Sequence, residues 1–117
     1  ILLSRCLEAA DRLMEMGISA RVLNLHTLKP LDAELVRAAA GETGAIVTVE
    51  EHSVIGGLGG AVAEALSESR PTPVRRVGLR DTFAETGPYE VLLDRYGMSV
   101  EEIVKQARAA AAMKAGR

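Results

Sequence analysis

The fold is decided by residues 45–60, which read AIVTVEEHSVIGGLGG. Residues 45–49 form a nearly continuous apolar run, which is typical of a strand buried on both faces of a parallel sheet. The glycine-rich stretch that follows opens into a helical pattern carrying Val62, Ala63, Ala65 and Leu66. A strand followed by a glycine loop and a helix is the repeating unit of an α/β fold.

Upstream of this stretch, the pattern predicts a helix, a strand and a second helix. The first helix is predicted from one apolar stripe at spacings of three and four, and it ends at a glycine cap, Gly17. The stripe consists of Leu3, Leu7, Ala10, Leu13 and Met14. Residues 21–25 predict a short strand. Asp32 is predicted to be the N-cap of the second helix, which ends at Gly41 and Gly44.

Downstream, residues 74–79 predict another strand, and a short helix is predicted to begin near Pro88. Gly97 repeats the glycine cap of the first helix. Ser99 and Glu102 form the sequence signature of a capping box that starts the last helix. From Ala109 onward the apolar pattern is lost, so the tail is predicted to fray.

Helices and strands therefore alternate as α-β-α-β-α-β-α-α. Alternation with connections of this length predicts a three-layer α/β/α fold with a mostly parallel sheet. The 117 residues suit one core, so residues 1–117 are predicted to form a single domain. Three strands are few for a sheet covered on both faces. We therefore expect that one or more first strands are missing and that the chain is a fragment of a longer enzyme.

Composition excludes several classes of protein. Apolar residues make up 48% and aromatic residues only 3%, which indicates a globular domain with an aliphatic core. A formal net charge of −2 argues against nucleic-acid binding, which needs a basic face. No apolar run approaches the roughly 20 residues of a membrane span. Cys6 is the single cysteine, so an internal disulfide is excluded and a cytoplasmic location is expected.

The candidate site is the loop after the strand at residues 45–49. It contains Glu50, Glu51, His52, Gly56, Gly57, Gly59 and Gly60. One interpretation is an anion site, in which loop amides and the helix dipole bind a phosphate and His52 transfers a proton. The other is structural: a glutamate accepts hydrogen bonds from the loop amides, and the glycines allow close packing. Both interpretations stay open, and the structural one is favoured.

Other chemistry receives little support from the sequence. Gly57 and Gly59 match the first two glycines of a dinucleotide fingerprint, but Val62 stands at the third, although Asp81 follows the next strand. His26 at a strand end is interpreted as a structural residue. With one cysteine there is no zinc-type spacing. The sequence therefore assigns no catalytic residue and no metal ligand.

Three ordered segments resemble the C-terminal domain of the transketolase family. They are residues 17–32, residues 46–59 and residues 81–97, and together they span most of the chain. The domain also occurs in 1-deoxyxylulose-5-phosphate synthase and in the beta subunits of 2-oxoacid dehydrogenases. The pairs Glu51-His52 and Tyr96-Gly97, together with Tyr89, are more similar to transketolase itself, including forms divided into two chains.

The resemblance implies a parent enzyme that transfers a two-carbon ketol unit between sugar phosphates, as in pentose phosphate metabolism. Such an enzyme uses thiamine diphosphate and a divalent metal, usually Mg²⁺, and acts as a homodimer or a two-chain assembly. The residues that hold the cofactor do not map onto this chain. We therefore expect that the isolated chain is inactive and that it supports the dimer and the other domains of the enzyme.

The resemblance also implies a further strand before the first helix. It would lie between the strand at residues 22–25 and the strand at residues 46–49. Without it, we expect that the chain does not fold alone as a stable monomer. The competing function is a free-standing nucleotide- or anion-binding α/β module, for which phosphate or nucleotide would raise the melting temperature.

Overall fold

A computed structural model describes residues 2–25, 30–80, 82 and 85–115 of the chain. These residues form a parallel sheet flanked by helices. In chain order the elements are α1 (Leu2–Glu15), α2 (Ala33–Thr43), β1 (Ile46–Ser53), α3 (Leu58–Ser67), β2 (Val74–Leu79), α4 (Tyr89–Arg95) and α5 (Val100–Ala115).

The sheet is built from β1 and β2, which run parallel and are connected through α3. Ile46 pairs with Val74 and Val49 pairs with Val77, and the register shifts before Ser53 pairs with Leu79. A parallel pair needs a long crossover connection, and the glycine loop with α3 provides it. The structure confirms the predicted strand at residues 74–79 and extends the strand that begins near residue 45 as far as Ser53.

Side chains of β1 alternate between two apolar cores, one on each face of the sheet. Val47 and Val49 pack against the core that α1, α4 and α5 build around Leu13 and Ile103. Ile46 packs against the core formed by α2 and α3. The period-2 alternation of a strand explains this division, because neighbouring residues point to opposite faces. The fold is therefore a three-layer α/β/α arrangement, as the sequence predicts.

The predicted strand at residues 21–25 is wrong: these residues have no strand structure. The physical reason is that a strand needs a hydrogen-bonding neighbour. Among the described residues, the sheet contains two strands, in the order β1-β2. A cavity of about 260 Å³ is lined by residues of this segment and of β1, and β1 pairs with β2 instead.

Helix α1 is confirmed, but its predicted stripe is buried only in part. Leu13 is 2% exposed, whereas Leu3, Leu7 and Met14 of the same predicted stripe are 44%, 51% and 59% exposed. The stripe that faces the core begins at Leu2 and Cys6 and continues through Ala9 to Leu13, which it shares with the predicted stripe. Because the two stripes are adjacent and both apolar, spacing alone does not distinguish them.

The caps of the helices follow the sequence closely. Asp32 accepts a hydrogen bond from the Leu35 amide at 3.1 Å and caps α2 as predicted. Gly17 and Gly97 have φ of 82° and 80° and end their helices in left-handed conformations, where glycine avoids a Cβ clash. Gly44 does the same for α2, but the prediction that Gly41 ends α2 is wrong, since the helix continues to Thr43.

Helix α5 differs from its prediction at both ends. Ser99 Oγ accepts from the Glu102 amide at 3.1 Å, but the Glu102 carboxylate accepts from Gln106 Nε2, so half of the capping box forms. The predicted fraying after Ala109 is wrong, because the helix continues to Ala115. Ala110 is 2% exposed, and Lys114 Nζ donates to the Thr43 carbonyl at 2.7 Å, which ties the last turn to α2.

Candidate functional site

Glu50 caps the N-terminus of α3. Its carboxylate accepts hydrogen bonds from the backbone amides of Leu58 at 2.7 Å and Gly59 at 3.2 Å. These are amides of the first turn, which have no acceptor within the helix. A negative charge at this position also interacts favourably with the helix dipole. The carboxylate of Glu50 on β1 is thus the anion that binds to the N-terminus of the following helix, α3.

Two glycines make this contact possible by lacking a side chain. A Cβ on Gly57 would lie 2.6 Å from Oε1 of Glu50, and a Cβ on Gly59 would lie 2.9 Å from Thr48 Oγ1 and 2.6 Å from Arg76 Cγ. By contrast, a Cβ on Gly60 would meet nothing within 4 Å. Gly56 has a φ of 72°, which makes the turn before the helix. The requirement at Gly57 and Gly59 is therefore space rather than backbone angle.

Glu51 and His52 lie on the exposed part of β1, away from the helix cap. The phenol of Tyr89 on α4 donates a hydrogen bond to the Glu51 carboxylate. This hydrogen bond is the main cause that raises the pKa of Tyr89, because a phenolate would face a carboxylate there. His52 Nδ1 lies 3.0 Å from the Ser53 carbonyl. The two glutamates have different partners, so the structure does not bring them together as a catalytic pair.

Beneath the start of α3, Thr48 is 5% exposed, and its Oγ1 has no hydrogen-bond partner among the described residues. Arg76 of β2 lies beside it and donates from Nη1 to the Val54 carbonyl at 3.1 Å. Neither Thr48 nor Arg76 is singled out by the sequence pattern. Gly78 was also missed: a Cβ there would lie 2.8 Å from the His52 carbonyl oxygen. The only sign of this close approach of β2 to β1 in the sequence is a glycine within a predicted strand.

The loop does not fit a diphosphate. The amides that would bind phosphate oxygens already donate to Glu50, and the carboxylate charge would repel a second anion. Within the described ranges, no group of three or more His, Cys, Asp or Glu side chains is placed to hold a metal ion. The geometry therefore favours the structural interpretation of the loop over the anion site.

The remaining candidates lie away from this loop. Cys6 is half-buried against the core of α1 and α5, and burial raises the pKa of its thiol. His26, interpreted above as a structural residue, and Asp81, which follows the strand after the glycine loop, lie outside the described residues. In the part of the chain that the structure describes, no helix is long and apolar enough to cross a membrane.

Comparison with known proteins identifies the domain. The family model "Transketolase, C-terminal domain" matches residues 1–103. A 6-deoxy-6-sulfo-D-fructose transketolase subunit from Clostridium sp. (strain MSTE9) is 50% identical over 92% of this chain and 33% of its own length. A 1-deoxy-D-xylulose-5-phosphate synthase from Heliobacterium modesticaldum is 45% identical over 86% of this chain and 16% of its own length.

Among solved structures, a split-gene transketolase described as an inactive beta4 tetramer superimposes with a TM-score of 0.92. It is 49% identical, and the match covers 97% of this chain and 37% of that one. The chain thus spans between 16% and 37% of the length of these three proteins. The family model, the relatives and the fold agree: the chain belongs to the transketolase C-terminal domain family.

Proposed function

We propose that this chain is the structural C-terminal domain of a transketolase that is divided into two subunits. The observation that carries the proposal is the 50% identity to a transketolase subunit, which continues over 92% of this chain. The similarity to a split-gene transketolase structure supports the same form of enzyme. In this proposal residues 1–117 form one domain of a longer polypeptide.

The domain's proposed role is support and assembly rather than chemistry. At the glycine loop, the carboxylate of Glu50 accepts hydrogen bonds from the first amides of α3. These amides are therefore not free to bind another anion. Thiamine diphosphate and Mg²⁺ therefore belong to other parts of the parent enzyme, which would transfer a two-carbon ketol unit between sugar phosphates. Partners are the remaining domains and a companion subunit, in an assembly of at least two chains.

The test compares the 117-residue chain with the parent enzyme. Both are assayed with thiamine diphosphate, Mg²⁺ and sugar phosphates, and ketol transfer is expected only from the parent enzyme assembled with its companion subunit. The solved structure described as a split-gene transketolase, inactive beta4 tetramer, supports this expectation. Transfer by the pure chain would contradict the proposal.

A second candidate is the same domain in a 1-deoxyxylulose-5-phosphate synthase, which the 45% identity to the Heliobacterium enzyme favours. The two candidates differ in their product. Formation of 1-deoxyxylulose 5-phosphate by the parent enzyme, without ketol transfer between sugar phosphates, would select the second.

A further inference from the structure

A cluster of polar side chains at the C-terminal end of β1, which we call the acceptor patch, has no role in the helix cap described above. It consists of Glu51 and His52 on β1 and of Tyr89 at the start of α4. Tyr89 is 42% exposed, and the other two side chains are exposed as well. In open parallel sheets, ligands bind beyond the C-terminal ends of the strands. The acceptor patch therefore lies where a recognition surface is expected.

An irregularity of β1 produces this exposure. Residues 50–52 lie opposite a single residue of β2, Gly78, because the register of the two strands shifts there. A Cβ on Gly78 would lie 2.8 Å from the His52 carbonyl oxygen, so the glycine makes room for the extra residues of β1. A bulge of this kind interrupts the regular alternation of a strand and redirects its side chains. It allows the adjacent Glu51 and His52 to be exposed together.

The exposed polar atoms of the acceptor patch are hydrogen-bond acceptors. Tyr89 donates its phenolic hydrogen to the Glu51 carboxylate, which leaves lone pairs on both groups. His52 Nδ1 lies 3.0 Å from the Ser53 carbonyl oxygen, which can only accept. Nδ1 therefore carries the hydrogen, and Nε2 of the neutral ring is an acceptor. All three side chains thus suit a partner that is rich in hydrogen-bond donors.

The charge of this surface is negative. Glu90 follows Tyr89 on α4, and within the described ranges neither Glu51 nor Glu90 forms an ion pair. A cation is present nearby, since Arg5 Nη2 lies 3.4 Å from the Glu90 carbonyl oxygen. However, Arg5 already forms an ion pair with Asp94 at 2.6 Å. A cationic partner would therefore complement the acceptor patch.

We propose that the acceptor patch binds an arginine side chain of the companion subunit. A guanidinium is flat, donates two parallel hydrogen bonds to a carboxylate and stacks on an aromatic ring. Glu51 and Tyr89 offer both partners side by side, and a lysine ammonium would use only the charge. Tyrosine and arginine are also the residue types enriched at the energetic centres of protein interfaces.

The choice of occupant follows from charge. A second copy of this chain is a poor occupant, because a two-fold contact centred on the patch would place Glu51 of one copy against Glu51 of the other. The chain as a whole also has a net charge of −2, so two copies repel each other. The proposal rests on the proposed function, which provides the companion subunit.

The test mixes the parent polypeptide with its companion subunit at a series of dilutions and measures the assembled fraction by mass photometry. Glu51→Gln removes the charge and keeps the shape, so we expect association to weaken by about tenfold. Tyr89→Leu removes the ring on which the guanidinium stacks and should also weaken association. Glu64→Gln, at an exposed position of α3, is the matched control and should leave association unchanged.

Modification by phenylglyoxal, a reagent for arginine, then identifies the occupant by mass spectrometry. In the native assembly we expect an arginine of the companion subunit to be protected. Glu51→Gln should remove this protection, and Glu64→Gln should retain it. The same assemblies are treated with acetic anhydride, which modifies lysine and tests the alternative cation.

Several outcomes would overturn the proposal. If the native pair assembles and transfers ketol units, and Glu51→Gln and Tyr89→Leu assemble equally well, the proposed function stands and the acceptor patch is not an interface. Protection of a companion lysine, or of an arginine in the parent polypeptide itself, would overturn the choice of occupant. A native pair that does not assemble would overturn this proposal and the proposed function together.

Discussion

At the scale of single residues, Gly59 and Gly60 make a matched pair within α3. Gly59→Ala brings a Cβ within 2.9 Å of Thr48 Oγ1 and close to Arg76, so we expect a loss of about 1–3 kcal/mol of stability. Gly60→Ala meets nothing within 4 Å, and alanine is the better helix former, so a gain of up to about 1 kcal/mol is expected. Urea unfolding of the parent enzyme carrying each substitution measures both. Equal effects would show that space at Gly59 is not limiting.

Glu50→Gln tests the cap of α3. The substitution removes the charge and one acceptor from two amide hydrogen bonds, and hydrogen bonds to charged groups contribute about 1.5–3 kcal/mol. We expect a loss in that range, compared with a change within about 0.5 kcal/mol for Glu64→Gln on the exposed face of α3.

Adding phosphate tests whether the loop amides that Glu50 binds are free to bind another anion. Since Glu50 occupies the amides, adding inorganic phosphate or a nucleotide should not raise the melting temperature of the native chain. A ligand at a hundred times its dissociation constant would add about 2.7 kcal/mol, which is easily detected. A clear rise in the native chain would favour the anion-binding interpretation after all.

Tyr89 carries the pH-dependent prediction. Its pKa in the folded chain is raised, chiefly by the hydrogen bond to Glu51. A group with a raised folded pKa stabilises the fold below its unfolded pKa of about 10, and this contribution is lost as the pH rises through the folded value. Glu51→Gln should lower the pKa of Tyr89. Ultraviolet absorbance of phenolate in a Tyr96→Phe background measures it, with Glu64→Gln as the control that should leave it unchanged.

At the scale of elements, the two stripes of α1 give contrasting expectations. Leu13→Ala removes a side chain that is 2% exposed and should lower stability by about 2–5 kcal/mol. Leu7→Ala, on a side chain that is 51% exposed, should change it by about 0.5 kcal/mol or less. Denaturant midpoints of the parent enzyme carrying each substitution measure the two effects. Comparable losses would mean that the outer stripe is also buried in solution.

The elements also show what sequence can predict and where it stops. Caps such as Asp32 and Gly97 were predictable because they depend on local chemistry that a few residues determine. The absence of strand structure at residues 21–25 was not predictable from their pattern, since it depends on a distant partner. Leu13 and Leu7 belong to the same predicted stripe, but Leu13 is buried and Leu7 is exposed, and the cause is again long-range: tertiary packing selects which apolar side chains face the core.

The candidate site divides in the same way. The sequence predicts the strand, the glycine loop and, in one of two interpretations, a glutamate that accepts hydrogen bonds from the loop amides. It does not predict that this glutamate is Glu50, because the choice depends on which side chains of β1 point toward α3. The bond from Tyr89 to Glu51 joins residues 38 apart in the chain, and no local pattern indicates it. Long-range contacts are therefore the part of the site that sequence reasoning misses.

At the scale of the whole molecule, we predict that the 117-residue chain alone is not a stable monomer. An apolar cavity of about 260 Å³ lies beside β1, and the side chains that line it lose packing contacts on that side. Typical domains have only about 5–15 kcal/mol in total. Within the described ranges β1 has a strand neighbour, β2, on one edge alone, and the exposed Leu3, Leu7 and Met14 add further apolar surface that attracts other chains.

The prediction is checked by measuring the mass of the purified chain in solution together with its thermal unfolding. We expect association, or a broad transition without cooperativity. Ala111→Phe should sharpen the transition, because it fills the cavity beside β1 from the α5 side, and Ala112→Phe on the exposed face should not. A monomer of the native chain with a sharp transition above about 45 °C, within the range of ordinary mesophile domains, would contradict the prediction and would show that the domain tolerates this cavity.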